Sequence, residues 1–153
     1  MTDHRPIQAP PSASPRTRKR FALTGRSHSV DPRVEAARGD LADVRLADRV
    51  FAPHYAAAVQ RNANRRSPIL ASHGGAVLSE ILPGEPFDVL ELSRGYAWGV
   101  SGGDGTVGFV AVDVLTAPVA TTHIVCQPGG ALPVGSRVTA NEAADAPTGV
   151  CPL

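Results

Sequence analysis

From Ser67 onward, apolar and polar positions alternate with a period of two, the signature of strands that bury one face. Val77–Leu82 reads as a strand. Pro83–Gly84–Glu85 reads as a turn, with proline presetting φ and glycine free to take φ > 0. Pro86–Leu92 is the next strand, with Phe87 and Val89 on one face and Leu90 and Leu92 on the other. A turn at Ser93–Gly95 leads into Tyr96–Val100. The glycine-rich loop SGGDG then returns the chain as Thr106–Val110, as a short glycine-containing hairpin loop does. Ala111–Leu115 reads as a short helical turn or a last strand. The spacing predicts an all-β fold, a small barrel or sandwich over residues 67–120.

The pattern changes before Ser67. Asp31 is suited to cap a helix and Pro32 to begin one, so a short helix is expected, stopped by Gly39. Leu41, Val44 and Leu46 fit either a second helical turn or an extended arm. Residues 49–56, RVFAPHYA, suit an edge strand, since Pro53 is barred from a central one. Residues 31–66 are therefore read as an N-terminal strap made of a short helix and an edge strand. Residues 121–153 read as an incomplete second module or a frayed tail.

Charge divides the chain differently. The net formal charge is +1, yet Arg5, Arg16, Arg18, Lys19, Arg20 and Arg26 face Asp3 alone within residues 1–30. Their Pro- and Ser-rich context predicts a disordered basic tail, since it lacks the apolar area to offset ordering entropy. The run RTRKR at 16–20 offers a nucleic-acid contact, but a block of like charge reads first as a solvated tail. No apolar run is long enough to span a membrane or serve as a signal-peptide core, so the expected location is cytoplasmic. Two cysteines do not make a disulfide scaffold. In a reducing compartment both are expected as thiols, with Cys151 frayed at the end and a Cys126–Cys151 bridge reserved for an oxidising one.

The chain is poor in candidate chemistry. Cys126 precedes QPGG, which forbids the helix N-terminus that would activate a thiolate, and His123 lies at an odd strand offset from it. His4, His28, His54, His73 and His123 are scattered, without metal-ligand spacing. No cofactor is expected. The loop at 102–105 lacks the lysine and following helix of a phosphate cradle. What stands out is an aromatic strand. Tyr96 and Trp98 share one face while Ala97 and Gly99 line the other. Either the aromatic pair is core, or the small residues face inward and the pair lies outward as a platform that Phe109 joins. Arg94 stands at the turn beside it.

These elements resemble the bacterial SH3-like domain over roughly residues 67–115. The matching features are Val77–Leu82, Pro83–Gly84, Phe87–Leu92, Arg94–Gly95–Tyr96, Trp98 and Gly108–Phe109–Val110, followed by Val112–Leu115. Together with DPRVEAARGDLADV and FAPHY upstream, the pattern is similar to the N-terminal SH3-like region of NlpC-type cysteine peptidases, which cut peptidoglycan stem peptides. The family's catalytic DCSG-type segment and later histidine are absent, so no enzymatic activity is expected. THIVCQPGGALPVGSRV, residues 122–138, looks like the opening of a second SH3-like module, too short to close. The chain is thus expected to be a truncated relative or stand-alone front end.

The resemblance implies a small SH3-like barrel that recognises a peptidoglycan stem peptide or muropeptide, or packs against a peptidase catalytic domain. Arg94, Tyr96, Trp98 and Phe109 are its implied ligand contacts, and association with the cell envelope follows from such a ligand. A homodimer by strand-edge pairing is a further partner reading. The rival readings are a nucleic-acid-binding module using the tail and the barrel aromatics, and a ligand-free fragment of a γ-D-glutamyl-diaminoacid peptidase.

Overall fold

Two apolar faces, one on each side of the same strands, organise the molecule. The computed structural model describes residues 29–145 and 149–153. The basic-tail expectation for residues 1–30 therefore falls almost wholly outside the described residues.

In chain order the strands are β1 (Leu41–Asp43), β2 (His54–Ala56), β3 (Val59–Ala63), β4 (Ser67–Leu70), β5 (Val77–Ile81), β6 (Pro86–Ser93), β7 (Tyr96–Ser101), β8 (Val107–Ala111) and β9 (Leu115–Thr116). Beyond them lie β10 (His123–Val125), β11 (Arg137–Val138), the six-residue helix α1 (Ala140–Asp145) and β12 (Val150–Pro152). A seven-stranded antiparallel sheet runs β5-β4-β8-β7-β6-β3-β9. Strands β5 and β6 are consecutive in sequence but four places apart in the sheet, so the turn between them folds the sheet onto itself. One cluster joins Ala63, Ile69, Ile81, Phe87, Val89, Ala97, Val110 and Val114, drawn from six strands and the turn before β9. A single cluster from so many strands requires a curled sheet. The structure is mostly β, with an SH3-like barrel at its centre.

Alternation places these residues. Phe87 and Val89 point inward on β6, Ala97 on β7 and Val110 on β8. Phe87, Ile69 and Val110 are fully buried, and each contributes roughly 2–3 kcal/mol through apolar burial. The small inward residues Ala97 and Gly99 make room for the Phe87 ring. Residues 111–115 are both of the things expected of them, a short 3-10 turn at Val112–Val114 that enters β9.

The N-terminal segment departs from its reading. No α-helix follows Pro32. Glu35 N–H donates to Asp31 C=O at 2.8 Å, which completes a single turn. Asp43 N–H then donates to Ala36 C=O at 2.9 Å, and Ala37 bridges Ala42. One turn carries the full nucleation cost of a helix with almost none of its propagation gain, so burial of Ala36 decides the backbone instead. Strand β1 pairs in parallel with β2, and a 3-10 turn at Val44–Leu46 intervenes. Strand β3, within the segment read as strap, is built into the barrel sheet between β6 and β9.

The C-terminal residues form a three-stranded antiparallel sheet ordered β11-β10-β12. Here the thiol reading is corrected. Cys126 and Cys151 are joined as a disulfide, with Cα atoms 6.1 Å apart. Pairing of β10 with β12 brings the two cysteines together, a proximity that their separation of 25 positions conceals in the sequence.

Candidate functional site

The aromatic strand turns its small residues inward and its large ones outward. Trp98 sits opposite Phe109 across β7 and β8. Yet this outer face is not an open platform. Trp98 is only 3% exposed and Phe109 8%, because Ala36, Leu41, Ala56 and Ala58 of the strap lie over them and over Leu90. The Arg38 guanidinium stands 4.3 Å from the centre of the Trp98 ring, a cation–π contact. It is fixed there by Glu91 at 2.8 Å and Asp40 at 3.0 Å. At the far end of the face, the His73 ring packs against Phe109 at 4.6 Å and edge-on to Tyr96 at 5.3 Å. Tyr96 is half-buried.

A second feature comes from one irregularity in β6. Val89 pairs with Gly99 and Glu91 with Trp98, so Leu90 is an extra residue and the register shifts. This is a β-bulge. It places both Leu90 and Glu91 on the outer face and returns Leu92 to the inner side, opposite Ala97. The expectation that Leu90 and Leu92 share a face is thereby corrected. Leu92 overhangs the end of the barrel core, 65% exposed. With Val59, Val89, Val112 and Leu115 it lines an apolar groove of about 300 Å³ at the barrel mouth, where Arg61 and Glu91 supply charge. Barrel mouths are common ligand sites.

Arg94 is not among the residues that line this groove, but lies two positions after Leu92, which does. The Arg94–Gly95 turn joins Leu92 to Tyr96, and Val112 N–H donates to Gly95 C=O at 2.9 Å. Arg94 itself has φ of +51° and Gly95 of +80°, the primed hairpin turn that matches strand twist. Of the four implied contact residues, the structure groups Tyr96, Trp98 and Phe109 on the outer face and puts Arg94 in the turn between β6 and β7. Arg61, Leu92 and Leu115 were not singled out from sequence. The adjacent apolar pair Val89–Leu90 was the one available signal, because it breaks strict alternation.

The carboxylates near these features are tied up. Burial opposes the charge on Asp43, but the Arg45 guanidinium and backbone N–H outweigh it and hold its carboxyl below the usual range. Arg45 also reaches Asp88 on β6 at 3.2 Å, tethering strap to barrel. Asp104 in the glycine-rich loop is likewise held low: burial opposes its charge, and the Ser79 hydroxyl and Thr106 N–H overcome that. That loop is a hairpin closed by its own acid, with Glu85 accepting from Gly103 N–H beneath it at 3.0 Å. Neither Arg61 nor Arg94 meets a carboxylate among the described residues. Among those same residues, no three His, Cys, Asp or Glu side chains gather as a metal site. No described helix is long and apolar enough to cross a membrane.

A curled antiparallel sheet of short strands with a turn of 3-10 helix before the last one defines the SH3-like class. Residues 65–115 match the family model of the bacterial dipeptidyl-peptidase SH3 domain. That match, over a third of the chain, bears out the resemblance to a bacterial SH3-like domain read from sequence. No curated protein and no solved structure matches the chain.

Proposed function

We propose that this protein is a non-catalytic SH3-like module that recognises peptidoglycan stem peptides at the mouth of its barrel. The carrying observation is the groove itself. Its apolar floor of Val59, Val89, Leu92 and Leu115 suits alanyl methyl groups. Arg61 and Arg94 suit the free carboxylates of a stem peptide, and guanidinium–carboxylate pairs are the stronger charge-assisted bonds. Glu91, also on the groove's lining, is engaged by Arg38 and holds the strap. Trp98 and Phe109, roofed by the strap, back the barrel wall. Tyr96 and His73 mark the far edge of the surface. In this reading the chain holds a peptide, or presents it to a peptidase catalytic domain, and cleaves nothing.

The Cys126–Cys151 bridge supports work at the cell envelope, where disulfides persist, over the cytoplasm. Titration of the full chain with a stem tetrapeptide by calorimetry tests the proposal. Binding is expected, and Arg94→Asn should weaken it about tenfold, the size of one charge-assisted hydrogen bond. Arg61→Ala should do the same. Tetrapeptide affinity that is absent in the intact chain, or indifferent to both changes, defeats the reading. Duplex DNA is the control: steeply salt-dependent binding of DNA alone would favour the nucleic-acid alternative.

A further inference from the structure

The C-terminal sheet is built on almost no core. Among the described residues from 121 onward, Ser136 and Val138 alone are buried, and the Ser136 hydroxyl has no hydrogen-bond partner. Strand β12 buries no side chain at all. Its backbone is held by three pairings with β10 and by flanking bonds, Cys126 N–H to Gly149 C=O at 2.7 Å and Leu153 N–H to Thr122 C=O at 2.9 Å. Short exposed ladders of that length do not persist alone. Small units without a core take covalent staples instead.

The other end of this sheet is fastened differently. Arg137 N–H donates to Pro83 C=O at 2.8 Å, and the Arg137 carbonyl lies so close over Gly84 that a Cβ there would collide with it. Gly84 also has φ of +75°, so this contact is available to glycine alone. Strand β11 is thus docked on the barrel by backbone packing. Strand β12 depends on Cys126–Cys151.

We infer that this disulfide is a thiol-controlled clasp. When it is closed, β12 stays on β10. When a dithiol opens it, β12 leaves while the barrel stays folded. Opening is ordinary exchange: a thiolate of the dithiol attacks Cys126 Sγ, the S–S bond breaks, and Cys151 departs as a thiolate that takes a proton. The second thiol of the reductant then attacks the mixed disulfide and frees Cys126. Two electrons move, the dithiol becomes a cyclic disulfide, and the protein gains two thiols. Release of β12 takes away Val150, and with it one wall of the groove of about 320 Å³ that Val125, Leu132 and Val138 also line.

The test is hydrogen exchange on the full chain, first oxidised with glutathione disulfide and then reduced with dithiothreitol, with Trp98 emission followed in parallel. Closing a loop of this length suppresses opening on the order of a hundredfold. The Cys126 and Leu153 amides should therefore exchange about a hundredfold faster after reduction, with Trp98 emission unmoved. Replacing both cysteines by serine should reproduce the reduced pattern without any reductant. Three results overturn the inference. The first is two titratable thiols that survive the oxidant. The second is exchange at Cys126 and Leu153 that reduction leaves unchanged. The third is a Trp98 shift that accompanies β12 release, which would make the whole chain one unit.

Discussion

Strands β6, β7 and β8 build a core on each of their faces, and the two cores are made by different means. The inner one is self-contained: Phe87, Ile69, Ile81 and Val110 come from the barrel and are sealed by it. The outer one is borrowed. Trp98, Phe109 and Leu90 come from the barrel, but their cover is the small side chains of Ala36, Ala56 and Ala58 and the side of Leu41. Alanines contribute little area of their own, so the outer core depends on polar fasteners that hold them down: Arg38 to Glu91, and Arg45 between Asp43 and Asp88. A residue on one of these strands is therefore worth what lies over it, and not only what it is.

The difference can be broken at three points. Phe87→Ala should cost about 3–5 kcal/mol, as large-to-small core changes do. It should lower the urea midpoint for every probe together, because both faces share its strand. A loss under about 1 kcal/mol would mean that the inner core is not the organiser. Ala36→Asp should cost about 2–3 kcal/mol by burying a carboxylate against Trp98. Its effect should stay local: Trp98 emission moves to the red and becomes open to acrylamide, while the far-ultraviolet spectrum of the barrel persists. Concerted loss of both signals would fuse the two cores into one.

The smallest effect is acid. The Asp43 carboxyl is held below its ordinary range in the fold. Its contribution is thus complete above the unfolded value near pH 4 and disappears as pH falls through the folded value. Acidification below about pH 4 should loosen the strap by about 1 kcal/mol or less, since Arg45 is solvent-exposed. Trp98 emission should report that step before the barrel melts, and Asp43→Asn should flatten it.

How much of this was legible in the sequence follows from the range of the forces involved. The turns at Pro83–Gly84, Arg94–Gly95 and Gly102–Gly105 are local, and they bracketed the strands to within a residue or two. The bulge at Leu90 depends on what Trp98 needs across the sheet, so alternation carried past it put Leu92 on the wrong side. The groove went unread for the same reason. Asp31 and Pro32 gave a true helix-start signal, but Ala36 was needed as cover for Trp98 and the turn stopped after one cycle. The cysteine pair is decided by which strand lies beside which, and no spacing encodes that.

The left-handed backbone at Arg94 has one last consequence. A branched or long side chain there is held against a preference that asparagine or glycine would satisfy, so the native hairpin carries about 1 kcal/mol of avoidable tension. Exchange of that arginine for asparagine should therefore leave a hardier molecule that, under the proposed function, holds its stem peptide less tightly. An affinity lost while the melting point climbs has only one source, and this hairpin is where the two properties pull apart.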